Sequence, residues 1–474
     1  MKERSKQSDL RMNLVGERRI TGGLFAEETP VWYGSSGKVT SLWLSACKED
    51  RERTSKLMEA IAEPSNLIAA CKEVASNKGA SGIDGIDVLG LKEWLIVNLE
   101  TLQESLLKGN YEPQAVLGVQ IPKPHGGYRM LGIPTTKDRL VQQAISRVLM
   151  RVYEPSFSSH SYGFRPKRSA HQALTKAAFY VKEGNSHVVD LDLEKFFDEV
   201  NHHRLIWLLS TRIGDGRLLS LIRKFLCSGI FTGGISQQRV KGTPQGSPLS
   251  PLLSNIVLDE LDQELASRGH LFVRYADDVK IFVRSHESAG RVGQRITSYI
   301  EGRMKLKVNR EKSRICRGYE LNFLGHSILK GGKLGLSKAS ENRLKEKVRE
   351  VTRRNRGISL EAMIKELNVK LKGWLNYFYL AQMQSKLSKL DAWIRRKLKC
   401  FRLKQCKRVI GIVRFLCSLK VEEKLSWRTA LSGKGWWRLS NSPAINIGMN
   451  NNWFHQSGLF SLMVNYEVRH RNPI

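Results

Sequence analysis

Two aspartates stand side by side between apolar runs in Arg274-Tyr275-Ala276-Asp277-Asp278-Val279. Leu271, Phe272 and Val273 precede them; Val279, Ile281, Phe282 and Val283 follow. Two β-rich runs either side of a bend read as a hairpin with Asp-Asp at its tip. Adjacent carboxylates repel, and apolar neighbours raise the cost of ionising both. A divalent cation held by both removes the conflict. A solvated turn that happens to carry two acids is the other reading of the pair taken alone.

A second acidic run is His187-Val188-Val189-Asp190-Leu191-Asp192-Leu193, followed by Glu194-Lys195-Phe196-Phe197-Asp198. Val188 to Leu193 reads as a strand. Alternation puts Asp190 and Asp192 on one face and Val189, Leu191 and Leu193 on the other. Acids on an apolar strand are costly unless paired or metal-bound; an edge strand with a wet face would also carry them. Asp198 reads as the N-cap of the next helix. If the strands bearing Asp192 and Asp277-Asp278 are neighbours, three carboxylates converge. That suits two divalent cations about 4 Å apart on a transferring phosphoryl group, and Mg²⁺ is the hard ion that fits.

Lys and Arg number 78 against 45 acids, a formal charge of +33 in 474 residues. Such a surplus calls for a polyanionic partner; a generic RNA-coating protein would also carry it. The seven cysteines are scattered without a C-x-x-C pair, so neither a disulfide framework nor a zinc ribbon is indicated, and a reduced cytosol fits. No apolar run is long enough to span a membrane. The length allows roughly three domains.

The rest of the chain supplies cations and helices. Residues 1–55 lack periodicity and read as a loosely ordered arm. Helices are expected from about 56, over 90–108 and over 136–153. Between them, Val119 to Pro134 reads as two short strands around a Pro/Gly turn, with Lys123 and Arg129 on opposite arms. Such a hairpin folds over a phosphate chain, or is simply a solvated surface hairpin. A helical stretch is expected over 203–227. Lys241 to Pro251 forms a defined loop before a helix over 252–266, and Gly246 lets a ligand approach the backbone. Strands are expected at 305–309 and 322–328. From about 340 long basic helices take over. Between Lys386 and Arg408 ten residues are basic and one is acidic, with Trp393 and Phe401 interleaved. A charge run is usually a solvated helix face, but ten cations against one acid favour an RNA-phosphate surface, carried by Arg395, Arg396, Lys397, Lys399, Arg402, Lys404, Lys407 and Arg408. Residues 420–474 read as a small folded appendage.

In order, Ile121-Pro122-Lys123, Ser161 to Pro166, Asp192 to Asp198, Gly242 to Pro251, Tyr275 to Asp278, Glu311-Lys312-Ser313 and Phe323-Leu324-Gly325 resemble the bacterial group II intron-encoded reverse transcriptases/maturases. The likeness covers about residues 56–410. It implies an α+β right-hand polymerase, with fingers, a palm built on an antiparallel sheet and a helical thumb, followed by an α-helical maturase domain. The corresponding boundaries are 56–335 for fingers and palm, 336–385 for the thumb, and 386–474 for the maturase domain and appendage. By motif, Asp192, Asp277 and Asp278 would hold two Mg²⁺, with a backbone carbonyl from Leu193. Lys123, Arg129, Phe197, Gln245, Gly246 and Lys312 would contact the nucleotide, Phe197 as the steric gate. Phe323, Leu324 and Gly325 would form the primer grip. Implied partners are the intron RNA, an RNA template with a DNA primer, deoxynucleotides and target DNA, in the bacterial cytoplasm. Many relatives end in a Cys/His-rich nuclease domain; no paired cysteines follow Cys417, so second-strand cleavage is not expected. The rival functions are a splicing cofactor with an idle polymerase and a host-adopted polymerase for defence or repair.

Overall fold

The computed structural model describes residues 49–122 and 126–471. Most of the expected 1–55 arm, and Lys123, lie outside the described residues. The N-terminal helices are α1 (Leu57–Ala62), α2 (Pro64–Ser76) and α3 (Leu91–Leu107). Pro64 sits in the first turn of α2, where its missing N–H costs nothing. Strands β1 (Val116–Pro122) and β2 (Tyr128–Ile133) form the expected hairpin, with Ile121 opposite Arg129. Helix α4 (Thr136–Tyr153) is capped by the Thr135 side chain, which accepts from the Asp138 N–H. Helix α5 (Ala170–Lys182) opens on a Ser169/Gln172 capping box.

Strand β3 (His187–Asp192) is followed by the short α6 (Phe196–Glu199), α7 (His202–Ser210) and α8 (Gly216–Cys227). The single helical stretch expected at 203–227 is thus two helices. Asp215 divides them by capping α8 through the Arg217 N–H at 3.1 Å, while also accepting from the Met58 N–H at 2.9 Å. Asp198 is not a cap: it lies inside α6, and Asn201 caps α7 by accepting from the Arg204 N–H. Strands β4 (Ile230–Thr232) and β5 (Ile235–Gln237) had no signal strong enough to be read. They extend the first hairpin into a four-stranded sheet, order β2-β1-β4-β5, in which β1 and β4 run parallel.

Helix α9 (Ser250–Ser267), strands β6 (Leu271–Tyr275) and β7 (Asp278–Val283), and helix α10 (His286–Gly302) come next. With β8 (Arg314–Arg317) they complete a second, wholly antiparallel sheet, order β6-β7-β3-β8. The strand expected at 305–309 is absent. Lys305 takes a left-handed conformation, and only Val308 forms a bridge, to Leu193. The strand expected at 322–328 is a tight turn between β9 (Asn322–Phe323) and β10 (His326–Ile328), because Leu324 and Gly325 both have positive φ. Strand β11 (Leu334–Leu336) completes that small sheet.

The basic helices are α11 (Lys338–Val351), α12 (Leu360–Phe378), α13 (Gln384–Gln405) and α14 (Val409–Ser418). Five short helices follow: α15 (Glu423–Ala430), α16 (Trp436–Leu439), α17 (Pro443–Gly448), α18 (Asn451–Gln456) and α19 (Leu462–Arg471). Leu439, Ile445, Met449, Phe454, Leu462 and Tyr466 share one buried cluster with α11–α14. The expected appendage is therefore part of the helical core. A second cluster joins α1–α4 to α7–α10 and one face of the antiparallel sheet. A third seals the other face against α5 and the β9–β11 sheet.

Candidate active site

Register brings the two acidic runs together. Asp192 at the end of β3 lies directly opposite Asp278 at the start of β7. Tyr275 pairs with Asp278, which leaves Ala276 and Asp277 as a two-residue turn. Only Asp277 is at the tip; Asp278 belongs to the strand, because the commonest hairpins have loops of two residues. Ala276 has φ +57°, a conformation uncommon without glycine.

A buried network holds that turn. Arg274 is fully buried. Its Nε donates to Asp262 Oδ1 at 2.8 Å and its Nη2 to Oδ2 at 2.5 Å. Its Nη1 donates to Asn255 Oδ1 and to the Ala276 carbonyl, both at 3.0 Å. Asn255 Nδ2 donates in turn to the Gly163 carbonyl at 2.9 Å. A Cβ on Gly163 would come within 2.3 Å of the Ala276 nitrogen. Segment 160–162 pins the outer edge of β6 through hydrogen bonds from the Tyr162 N–H to the Arg274 carbonyl and from the Arg274 N–H to the His160 carbonyl. The sequence reading missed Arg274, Asp262, Asn255 and Gly163. The available signal was slight: Asn255 and Asp262 stand seven apart on α9 among several other polar residues.

The acid face is richer in cations than expected. Lys280, buried, contacts both Asp190 and Asp278. Arg314 Nε lies 3.5 Å from Asp190. Asp190 is thus neutralised within the sheet. Lys312 Nζ lies 3.8 Å from Asp192 Oδ2. Burial raises the pKa of Asp277, and the charge of Asp192 adds to the effect. Burial raises Asp278 as well, opposed by Lys280. Burial alone would lower Lys280, but Asp278 and Asp190 outweigh it and hold it above its ordinary value. As they stand, no three Asp, Glu, His or Cys side chains among the described residues are spaced to hold a metal ion. Two of the three acids engage lysines: Asp278 contacts Lys280, and Asp192 faces Lys312.

Leu193 bridges Val308 in the pairing where its own N–H and C=O face away from the partner: the flanking bonds run from Asn309 N–H to the Asp192 carbonyl and from Glu194 N–H to the Lys307 carbonyl. Above the acids, Arg129 is exposed on β2, and its charge reaches both Asp277 and Asp198. Burial raises Asp198, against Arg239, Lys195 and Arg129. Phe197 is half-buried, its ring 5.4 Å from that of Phe196. The Phe197 carbonyl accepts from Thr243 N–H at 2.6 Å, and the Gln245 carbonyl accepts from Gly132 N–H at 2.9 Å. So the 242–247 loop is stitched to both the Phe197 turn and β2. Gly246 has φ +116°, and a Cβ there would lie 3.0 Å from the Gly132 carbonyl.

Phe323 is buried, and Leu324 and Gly325 turn against the end of α12. Tyr377 Oη donates to the Leu324 carbonyl at 3.1 Å, and a Cβ on Gly325 would meet Ser340 and the Phe378 ring. The basic residues of the 386–408 run divide. Arg396 donates to the Trp437 carbonyl, Lys399 to Asn446 Oδ1, and Arg402 stacks on Phe415, so these three tie α13 to its neighbours. Lys404, Lys407 and Arg408 are exposed. Asp391, the one acid of the run, is buried and caps α19 through the Leu462 and Met463 N–H groups.

Residues 121–328 match the reverse transcriptase (RNA-dependent DNA polymerase) family, and residues 341–414 match the group II intron maturase-specific domain. Protein YkfC of Escherichia coli (strain K12) is 30% identical in an alignment 358 residues long that covers 67% of this chain and 93% of YkfC. The chain belongs to the group II intron reverse transcriptase/maturase family. It is an RNA-directed DNA polymerase of the kind that assists intron splicing. The group II intron-encoded protein LtrA of Lactococcus lactis subsp. cremoris is 35% identical over 258 residues, 53% of this chain and 42% of LtrA. The chain thus spans less than half of LtrA's length. A partial Cas6-RT-Cas1–Cas2 complex aligns over 52% of this chain and 42% of its own, at 27% identity and a TM-score of 0.34. The maturase match starts at 341, inside the stretch expected to be thumb.

Proposed function

We propose that this reverse transcriptase binds its own group II intron RNA, assists its splicing and copies it into DNA during intron mobility. The observation that carries the chemistry is the register of Asp192 opposite Asp278, with Asp277 on the clamped turn beside them. All three offer hard oxygen donors, and Asp277 carries a like-charge strain that a divalent cation relieves. Asp192, Asp277 and Asp278, with the Leu193 carbonyl, would hold two Mg²⁺. When bound, the ions supply Lewis-acid activation of the primer hydroxyl and neutralise charge on the triphosphate. Arg129 and Lys123 are the cations assigned to the incoming phosphates, with Lys312 assisting near them. Phe197 closes on the sugar, where a 2′-hydroxyl would clash. Gln245 and Gly246 line the nucleotide against the template. Phe323, Leu324 and Gly325 set the primer end.

In this reading 56–335 are fingers and palm, 336–385 the thumb and 386–474 the intron-binding region. No helix among the described residues is long and apolar enough to cross a membrane. An enzyme of this kind works beside its template, in the bacterial cytoplasm. The test is a splicing assay on the intron RNA with wild-type protein and with Asp277→Asn. Both should accelerate splicing equally, because the substitution removes a metal ligand and no phosphate contact. Equal failure of both proteins would remove the splicing role.

A further inference from the structure

The 740 Å³ cleft between the end of α11, the middle of α13 and α16 belongs to no part of the acid-bearing site. Five cations line it: Arg349, Arg353, Arg354, Lys397 and Lys404. No carboxylate lines it, and none of the five has an ion-pair partner among the described residues. Burial lowers the proton affinity of Lys397, and Arg349 and Arg354 lower it further. A cluster of this kind is stable only with an anion or open water beside it.

The cleft also has an aromatic wall. Trp436 and Trp437 close it, and α16 is locked onto α13 by Cys400 Sγ to the Trp436 carbonyl at 3.3 Å and Arg396 Nη2 to the Trp437 carbonyl at 2.9 Å. The Arg396 guanidinium lies 3.9 Å from the Trp437 ring centroid, yet Trp437 remains 40% exposed. Lys397 Nζ also lies 5.3 Å from that centroid, so the exposed part of an indole flanked by cations is what an incoming base would meet. The volume falls in the range of about 300–1,000 Å³ typical of small-ligand sites.

A ligand that matches must combine a flat π surface with several negative charges. The backbone of a paired RNA helix offers charge but hides its bases. An unstacked nucleotide offers both, and RNA is commonly recognised through such splayed bases on aromatic and guanidinium surfaces. We propose that this cleft takes one unpaired nucleotide of the bound RNA, its base against Trp437 and its flanking phosphates on Arg353, Arg354 and Lys404. The proposal rests on the intron-RNA reading above and adds the segment at 420–474 to the binding surface.

The test uses the full-length protein and two RNA hairpins identical except for a single bulged 2-aminopurine. Wild type should bind the bulged hairpin roughly ten-fold more tightly, in line with one base stacked on an aromatic ring, and should quench its fluorescence. Trp437→Ala should lose both the preference and the quenching while binding the unbulged hairpin as wild type does. Trp437→Phe should keep most of the preference. Arg353→Gln with Arg354→Gln should lower the salt slope for the bulged hairpin by roughly one to two. Equal binding of the two hairpins by wild type, or quenching retained in Trp437→Ala, overturns the proposal. So does parallel loss of both hairpins in Trp437→Ala, which makes the residue structural. Failure of wild type to bind either hairpin overturns the RNA-binding reading itself.

Discussion

Arg274 shows how much a single buried charge can organise. It has no exposure to water, and its partner Asp262 has none either. Removing one member leaves the other unpaired in the core, at about 3–5 kcal/mol. Arg274→Met should lower stability by that amount in urea titrations, and DNA synthesis should fall further than the folded fraction does, because the hold on the Ala276 carbonyl is also lost. A variant that stays fully active would show that the turn keeps its shape unaided. His326 makes a pH prediction. It is fully buried against Phe378, and burial pushes its pKa down to about 4. The unfolded chain accepts a proton below about 6.5 that the folded chain refuses. Stability is therefore complete above that pH and is lost as pH falls toward 4, by about 3 kcal/mol at the limit. His326→Phe should flatten that loss in urea midpoints measured from pH 7 to 4; parallel curves for the two proteins would contradict it. The acids were legible as residues because paired carboxylates in apolar runs are rare. Lys280 was not, since its role exists only once β3 and β7 are paired.

Elements carry the next level. The β6–β7 hairpin was readable from alternation and flanking polarity, but which acid formed the turn depended on loop length. The Asp192–Asp278 register depended on two strands nearly ninety residues apart in sequence, and local pattern carries no information about that. The strand expected at 305–309 failed for a related reason: its apolar positions find one partner residue, not a ladder. Close packing makes the hairpin testable through a neighbour. Gly163 has no room for a methyl group against Ala276. Gly163→Ala should displace the turn and cut primer extension by at least ten-fold while far-ultraviolet circular dichroism stays unchanged. Unaltered activity would mean that the turn tolerates the shift.

Across the whole molecule, charge and burial are divided between two regions. The sheet region gathers its acids around Lys280 and under Arg129. The helical region buries its one acid of the 386–408 run at a cap and leaves Lys404, Lys407 and Arg408 outward. Neutralising those three with Gln should lower the slope of log affinity against log salt for structured RNA by about two to three, with extension of a short primer–template unchanged. The sequence count of basic residues marked the 386–408 run as a candidate phosphate surface. It could not separate Arg396, Lys399 and Arg402, which serve packing, because that depends on helices folding back from 420–474. The central claim is that Asp277, with Asp192 and Asp278, runs metal-dependent DNA synthesis on RNA. It is tested most directly by primer extension on an RNA template with Mg²⁺ and four deoxynucleotides, wild type beside Asp277→Asn. Full-length DNA from wild type alone, with both proteins binding the template equally, is the expected result; DNA synthesis undiminished in Asp277→Asn would contradict it.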